Sequence, residues 1–165
     1  MENAVVHKID LYPPEEFKTI LEHEVSRSHR YGDSLTLIDM MVEADPTGPE
    51  NQREAEVSAI NALNLHLRNA DVACRKGNEF LILMPATGTP GARTACERIR
   101  KLMTVKHERN GKPSFELAIY VGMATLPNED QSVSSTTLAQ NASQALAHSR
   151  TNRRTNAVNF TEMNT

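Results

Sequence analysis

The sequence predicts an α/β sandwich, a mixed central β-sheet flanked by helices. Two observations carry that expectation. Stretches with apolar residues at helical spacing alternate with shorter runs rich in strand formers. Their order reads helix, strand, helix, hairpin, helix, strand, helix, strand, which brings strands together into one sheet with helices left to cover its faces.

Residues 1–12 read as an extended arm ending at Pro13-Pro14. Proline in a first turn followed by Glu15-Glu16 suits the partial positive charge of a helix N-terminus. Phe17, Ile20, Leu21 and Val25 then keep helical spacing to about Tyr31, and Gly32 supplies the stop. Leu35–Val42 is a mostly apolar run, expected as a buried central strand that carries Asp39 near its end. Residues 43–52 hold two prolines and a glycine and read as loop. From Arg53 to Arg68 the set Val57, Ile60, Leu63 and Leu67 has helical spacing.

Asp71–Arg75 and Phe80–Met84 form a hairpin signal with Lys76-Gly77-Asn78-Glu79 between them. Pro85–Pro90 reads as loop, and Ala92, Ala95, Cys96, Ile99, Leu102 and Met103 mark the next helix. His107–Pro113 is expected as a turn and Ser114–Thr125 as a strand, with Gly122 at a bulge or close contact. A loop at 128–135, a helix from Thr136 to about Ser149 and a short strand at Ala157–Phe160 complete the order. The expected domain spans 13–161, with a tail at 162–165.

Composition limits the function classes. The chain has 165 residues, enough for one ordinary core, with 39% hydrophobic and 24% charged side chains. Its formal net charge of −3 argues against general binding to nucleic acid or an anionic membrane. Phe80–Ala86, the longest apolar stretch, is too short to span a bilayer, and MENAVVHKID lacks the pattern of a secretion signal. Cys74 and Cys96 cannot build a disulfide framework or a four-cysteine zinc site. The expected setting is a reducing cytoplasm.

Standard catalytic patterns are missing from the sequence. The six histidines form no HxH or HExxH pair, and Gly88-Thr-Pro-Gly91 lacks the Lys-Ser/Thr of a phosphate-binding loop. Cys74 and Cys96 sit on expected core faces and read as packing residues.

The hairpin carries more. Arg68-Asn-Ala-Asp71-Val-Ala-Cys-Arg75-Lys-Gly-Asn-Glu-Phe80-Leu-Ile-Leu-Met-Pro85 resembles the signature region of GGDEF domains, the diguanylate cyclases of bacterial second-messenger signalling. The resemblance extends to Phe17…Leu21…Glu24…Arg27…Tyr31-Gly32, to Leu35-Thr-Leu-Ile-Asp39, to Cys96-Glu-Arg-Ile-Arg100, to Tyr120-Val-Gly-Met-Ala124 and to Ala142…Ala145-Leu146…Arg150…Arg154. It implies the palm-like fold of nucleotidyl cyclases and polymerases. It also implies chemistry that joins two GTP molecules into cyclic di-GMP, with magnesium held by carboxylates beside the triphosphate.

Against that family the site is degenerate. Where the signature is Arg-x-Gly-Gly-Asp/Glu-Glu-Phe, this chain has Arg75-Lys76-Gly77-Asn78-Glu79-Phe80, one residue short. Counting back from Phe80 puts Asn78 at the metal-ligand position; counting forward from Asp71 leaves Glu79 near it. Asp39 matches the first metal carboxylate and is the residual metal candidate. Met41 replaces the second Asp of the family's D-x-D after that strand, Thr47 falls near a guanine-reading Asn, and Glu56 is a weak counterpart of the second reader. Arg150 and Arg154 stand where the family contacts phosphates. The resemblance therefore implies no catalysis and no required cofactor, with Mg²⁺ needed only if the chain is an active cyclase after all.

The family's inhibitory site is retained. Arg68-Asn-Ala-Asp71 is its Arg-x-x-Asp motif, followed by Val72–Lys76 and then Gly77, and Arg98 stands where an assisting arginine stands. A guanidinium fork suits O6 and N7 of guanine and also phosphate, and a carboxylate accepts from the guanine ring N–H and amino group. The sequence-based expectation is a cyclic di-GMP receptor acting through Arg68, Asp71 and Arg98, with a protein partner or a homodimer downstream. The alternatives are an active cyclase and a nucleotide-free interaction module.

Overall fold

A computed structural model describes residues 11–103, 105, 108–127, 133–152 and 157–163. Helix α1 (Pro14–Tyr31) buries Phe17, Leu21, Val25 and Ser28 on one face and ends where Gly32 turns left-handed. Strand β1 (Leu35–Asp45) is followed by helix α2 (Pro49–His66). The hairpin comprises β2 (Val72–Lys76) and β3 (Glu79–Pro85) and leads into helix α3 (Thr89–Leu102). A small hairpin, β4 (Glu108–Arg109) with β5 (Lys112–Pro113), precedes β6 (Glu116–Leu126). Helix α4 (Ser135–Thr151), β7 (Val158–Asn159) and a 3-10 turn at Phe160–Glu162 follow.

The central sheet has the order β2-β3-β1-β6-β7, antiparallel except for the parallel β6–β7 pair. The expected α/β sandwich with a mixed sheet is therefore observed. Alternation along the strands splits the core in two. Ile38, Met40, Phe80, Ile82 and Met84 pack with α2 and α3, whereas Leu35, Leu37, Cys74 and Leu83 pack with α1 and α4.

Several expectations shift at their edges. β1 runs on to Asp45 and α2 begins at Pro49, so the expected 43–52 loop shrinks to a short connection. Proline at a first helical position explains the early start, since its missing N–H has no helical partner to lose. The face α2 buries is Ala55, Ser58, Ala59, Ala62 and Leu63, while Val57 is exposed, because small residues let α2 sit close to the sheet and α3. The expected turn at 107–113 contains the β4–β5 hairpin. The domain does not stop at 161: Glu162 lies in the closing turn and pairs with Arg93 of α3. Of the N-terminal arm, residues 1–10 lie outside the described residues, and Tyr12 donates its N–H to Ala73 O at the β2 edge (2.9 Å).

Gly122 is the close contact that its strand position implied. A Cβ at this point of β6 would lie 2.5 Å from Ala142 O and nearer still to Leu146 N, so α4 rests directly on the strand backbone. We expect Gly122→Ala to push α4 off the sheet and to cost about 1–3 kcal/mol or more. In a chain of this size each kcal/mol lowers the melting temperature by roughly 2–4 °C. An unchanged thermal melt would contradict this packing.

Candidate functional site

The structure places Asp39, Lys76 and Glu79 at one concavity and Arg68, Asp71 and Arg98 at another, on opposite helical layers. The first lies over the α1/α4 face of the sheet. It is a cavity of about 580 Å³ with Asp39, Lys76 and Glu79 in its floor, Lys18 and Glu15 from α1, and Ser143 and Gln144 from α4.

A two-residue turn fixes which hairpin groups reach it. Lys76 pairs with Glu79, so only Gly77 and Asn78 form the turn, with Gly77 at φ +61°. A positive φ at the first central residue is the position that glycine fills in a type II′ turn. Glu79 then faces the same side of the sheet as Asp39, one step along the neighbouring strand. Asn78 instead donates its amide to Val42 O (3.2 Å). Of the two ways of counting the signature, this geometry sets Glu79, not Asn78, beside Asp39. Phe80 points to the other face and is fully buried.

Asp39 is buried, and its Oδ1 has no hydrogen-bond partner. Burial, with Glu79 close enough to share a proton and to repel a second negative charge, pushes its carboxyl up to about 8; Lys76 offsets part of this. At neutral pH the Asp39 carboxyl therefore holds its proton. An orphaned oxygen next to a second carboxylate is a donor set that a hard divalent cation fits. Among the described residues no cluster of three or more His, Cys, Asp or Glu is placed to hold a metal ion.

The other degenerate positions are engaged elsewhere. Glu56 forms an ion pair with Arg75. Thr47 donates its hydroxyl to Ala44 O (3.1 Å), and Arg150 pairs with Glu43 (2.6 Å). Arg154 lies outside the described residues.

The second concavity, about 450 Å³, lies between the end of α2, the β3–α3 connection and α3. Arg68, Asp71 and Arg98 all line it, together with His66, Thr87 and Gly88. The Arg68–Asp71 segment is a closed turn directly after α2. Asp71 N–H donates to Arg68 O, and Arg68 N–H donates to the Asp71 carboxylate, each at 3.0 Å. The Arg68 guanidinium is held by Asp71 Oδ2 through Nε (3.4 Å) and by Asp71 Oδ1 through Nη2 (3.3 Å). Nη2 also donates to the Thr87 hydroxyl (2.7 Å) and Pro85 O (3.5 Å). None of these bonds uses Nη1.

The sequence reading gave Arg68 and Asp71 equal roles, and here they differ. The Arg68 side chain is 60% exposed and that of Asp71 only 2%, with its carboxylate already taken up. Asp71 therefore positions Arg68, while Arg68 and Arg98 are the exposed cations of this concavity. Thr87 and His66 were not singled out from sequence. Thr87 reaches Arg68 only through the β3–α3 connection, nineteen positions along the chain, and nothing local marks it. His66 did carry a signal: it closes α2 two residues before the motif. Cys74 and Cys96 are buried as expected, and burial pushes the Cys96 thiol up to about 12, where it stays protonated.

Comparison with known proteins adds the following. The family model described as "Diguanylate cyclase, GGDEF domain" matches residues 57–156. No curated protein matches the chain. Among solved structures, the GGDEF domain of DgcB from Caulobacter crescentus in complex with c-di-GMP superposes with a TM-score of 0.77 at 16% identity, covering 98% of each chain. The active GGEEF domain of a diguanylate cyclase from Vibrio cholerae gives 0.76 at 17% identity, covering 92% of this chain and 98% of that one. Diguanylate cyclase SiaD, solved with its activator SiaC from Pseudomonas aeruginosa, gives 0.74 at 23% identity, covering 93% of this chain and 60% of SiaD.

The raised Asp39 carboxyl has a consequence for stability. The folded state holds a proton that the unfolded chain releases near pH 4, so stability is full below that point and falls as pH rises towards about 8. Asp39→Asn removes this dependence. The variant is expected to gain on the wild type progressively from pH 4 to 8, by on the order of a few kcal/mol at the upper end. Denaturant titrations across that range, without divalent cations, provide the check; parallel pH profiles would count against it.

Proposed function

This chain belongs to the GGDEF-domain family of diguanylate cyclases, and on that footing we propose that it is a cyclic di-GMP receptor without cyclase activity. The observation that carries the reading is the convergence of Arg68, Asp71 and Arg98 on one cavity of about 450 Å³. A cavity of that size is in the range of small-ligand sites. Arg68 enters it held by Asp71 and Thr87, so little side-chain freedom is left to lose on binding. A cyclic dinucleotide offers guanine Hoogsteen edges and phosphates to the two guanidinium forks.

The charge around the other cavity supports the absence of catalysis. With the Asp39 carboxyl protonated at neutral pH, its described charged lining is Lys18 and Lys76 against Glu15 and Glu79, a formal 2 − 2 = 0 that offers an anion no net attraction. A triphosphate brings several further negative charges and meets no described arginine there. Arg150 is paired with Glu43 outside that lining, Met41 stands where the family has a second carboxylate, and Glu56 is tied to Arg75.

Signalling by a receptor requires that the ligand bind one state of the protein, or of its assembly, better than another. We place that second state in association with a protein partner or a second copy of the chain. The SiaD–SiaC complex is a case of a diguanylate cyclase solved with a protein activator. Among the described residues no helix is long and apolar enough to cross a membrane.

One observation favours a second reading, an active cyclase: the orphaned Asp39 oxygen beside Glu79. Those two carboxylates would hold Mg²⁺, which would supply electrostatic stabilisation at a phosphoryl group.

Two measurements separate these readings. By calorimetry, wild type should bind cyclic di-GMP, and Arg68→Ala and Arg98→Ala should each bind about 10–100-fold more weakly, the scale of one or two lost charge-assisted hydrogen bonds. An absence of heat from wild type would remove the receptor reading. Incubation with GTP and Mg²⁺ or Mn²⁺ should give no cyclic di-GMP by chromatography; clear product would establish the second reading.

A further inference from the structure

His66 lines the same cavity as Arg68 and Arg98, half-buried at the last position of α2. We propose that His66 is a further ligand-facing group of this cavity and takes up a proton when an anionic nucleotide enters. The inference rests on the receptor reading and adds a regulation to it.

The charged surroundings of the imidazole are few. Arg98 faces it from α3, and Arg68 and Asp71 from the turn after α2. The β3–α3 connection contributes Ala86, Thr87 and Gly88, none of them titratable. Burial lowers the imidazole from its ordinary value, the Arg98 and Arg68 charges lower it further, and Asp71 opposes them. In the empty cavity His66 is therefore held neutral near pH 7.

A cyclic dinucleotide carries a negative charge on each phosphate. Set against the two guanidiniums, those charges cancel the field that discharges His66 and favour the imidazolium, which then donates from both ring nitrogens. By linkage, a group that gains a proton on binding makes binding tighter as pH falls, at most about tenfold per pH unit for one whole proton. Arg68 and Arg98 stay charged throughout this range, so they set affinity without this pH dependence.

The test uses the full chain and cyclic di-GMP. Calorimetry in buffers of differing ionisation enthalpy, between about pH 5.5 and 8, counts the protons taken up per ligand. Wild type is expected to take up a fraction of one proton near neutrality and to bind more tightly as pH falls. His66→Gln should still bind, but with that uptake removed. Independently of ligand, NMR titration should place His66 below the ordinary histidine value, and Arg98→Ala should move it back towards that value. Equal proton uptake in wild type and His66→Gln, or none in wild type that binds, overturns the histidine's role and leaves the receptor reading intact. Absence of binding at every pH overturns both.

Discussion

Antiparallel pairing of β1 with β3, whose start is set by the two-residue turn that joins it to β2, governs what each side of the sheet presents. Asp39 lies opposite Leu81 and Met41 opposite Glu79, so period-two alternation brings Asp39 and Glu79 to one face and sends Phe80 to the other. A single-residue slip would bury Glu79 under α2 and α3 and leave Phe80 in the polar cavity. The apolar cost of exposing Phe80, about 1.5–3 kcal/mol for a side chain of this kind, joins the cost of burying an unpaired charge in opposing it. The core thus fixes the hairpin register, and the register assembles the carboxylate pair.

The two cavities differ in electrostatic character for reasons that lie in their walls. Over the α1/α4 face the floor is acidic and partly proton-bound, and the helices offer mainly hydroxyls and amides. On the α2/α3 side, two guanidiniums converge with one carboxylate that is already satisfied. Only the second offers an anion a net positive lining. The proposed division of labour, a silent catalytic face and a receptive second site, rests on this contrast as much as on the altered signature.

Much of the architecture is legible in the chain. The Phe17, Leu21, Val25 spacing gives α1, and the apolar run from Leu35 gives the central strand. α2 is less legible, since it buries alanines and leaves Val57 and Leu65 to solvent; of the apolar set, Leu63 is buried and Ile60 and Leu67 pack partly buried against the core, while Val57 falls off that face. The Arg68, Asp71, Arg98 grouping can be read from motif positions, but the inequality between Arg68 and Asp71 cannot. It arises because the turn after α2 folds the carboxylate back onto its own backbone. Thr87 and the Asp39–Glu79 contact depend on strands and connections brought together from distant parts of the chain, which no local pattern encodes.

The bare backbone contact at Gly122 also decides where this molecule is able to bend. With no side chain between β6 and α4, the helix has no compressible layer on which to slide, and strand and helix travel as one block. The α2/α3 layer is built differently, resting on the sheet through side chains such as Leu63, Ile99 and Met84. The arginine-lined cavity, with Met84 and Ala95 in its wall, opens on that second layer, so an occupant would press on side chains and not on bare backbone.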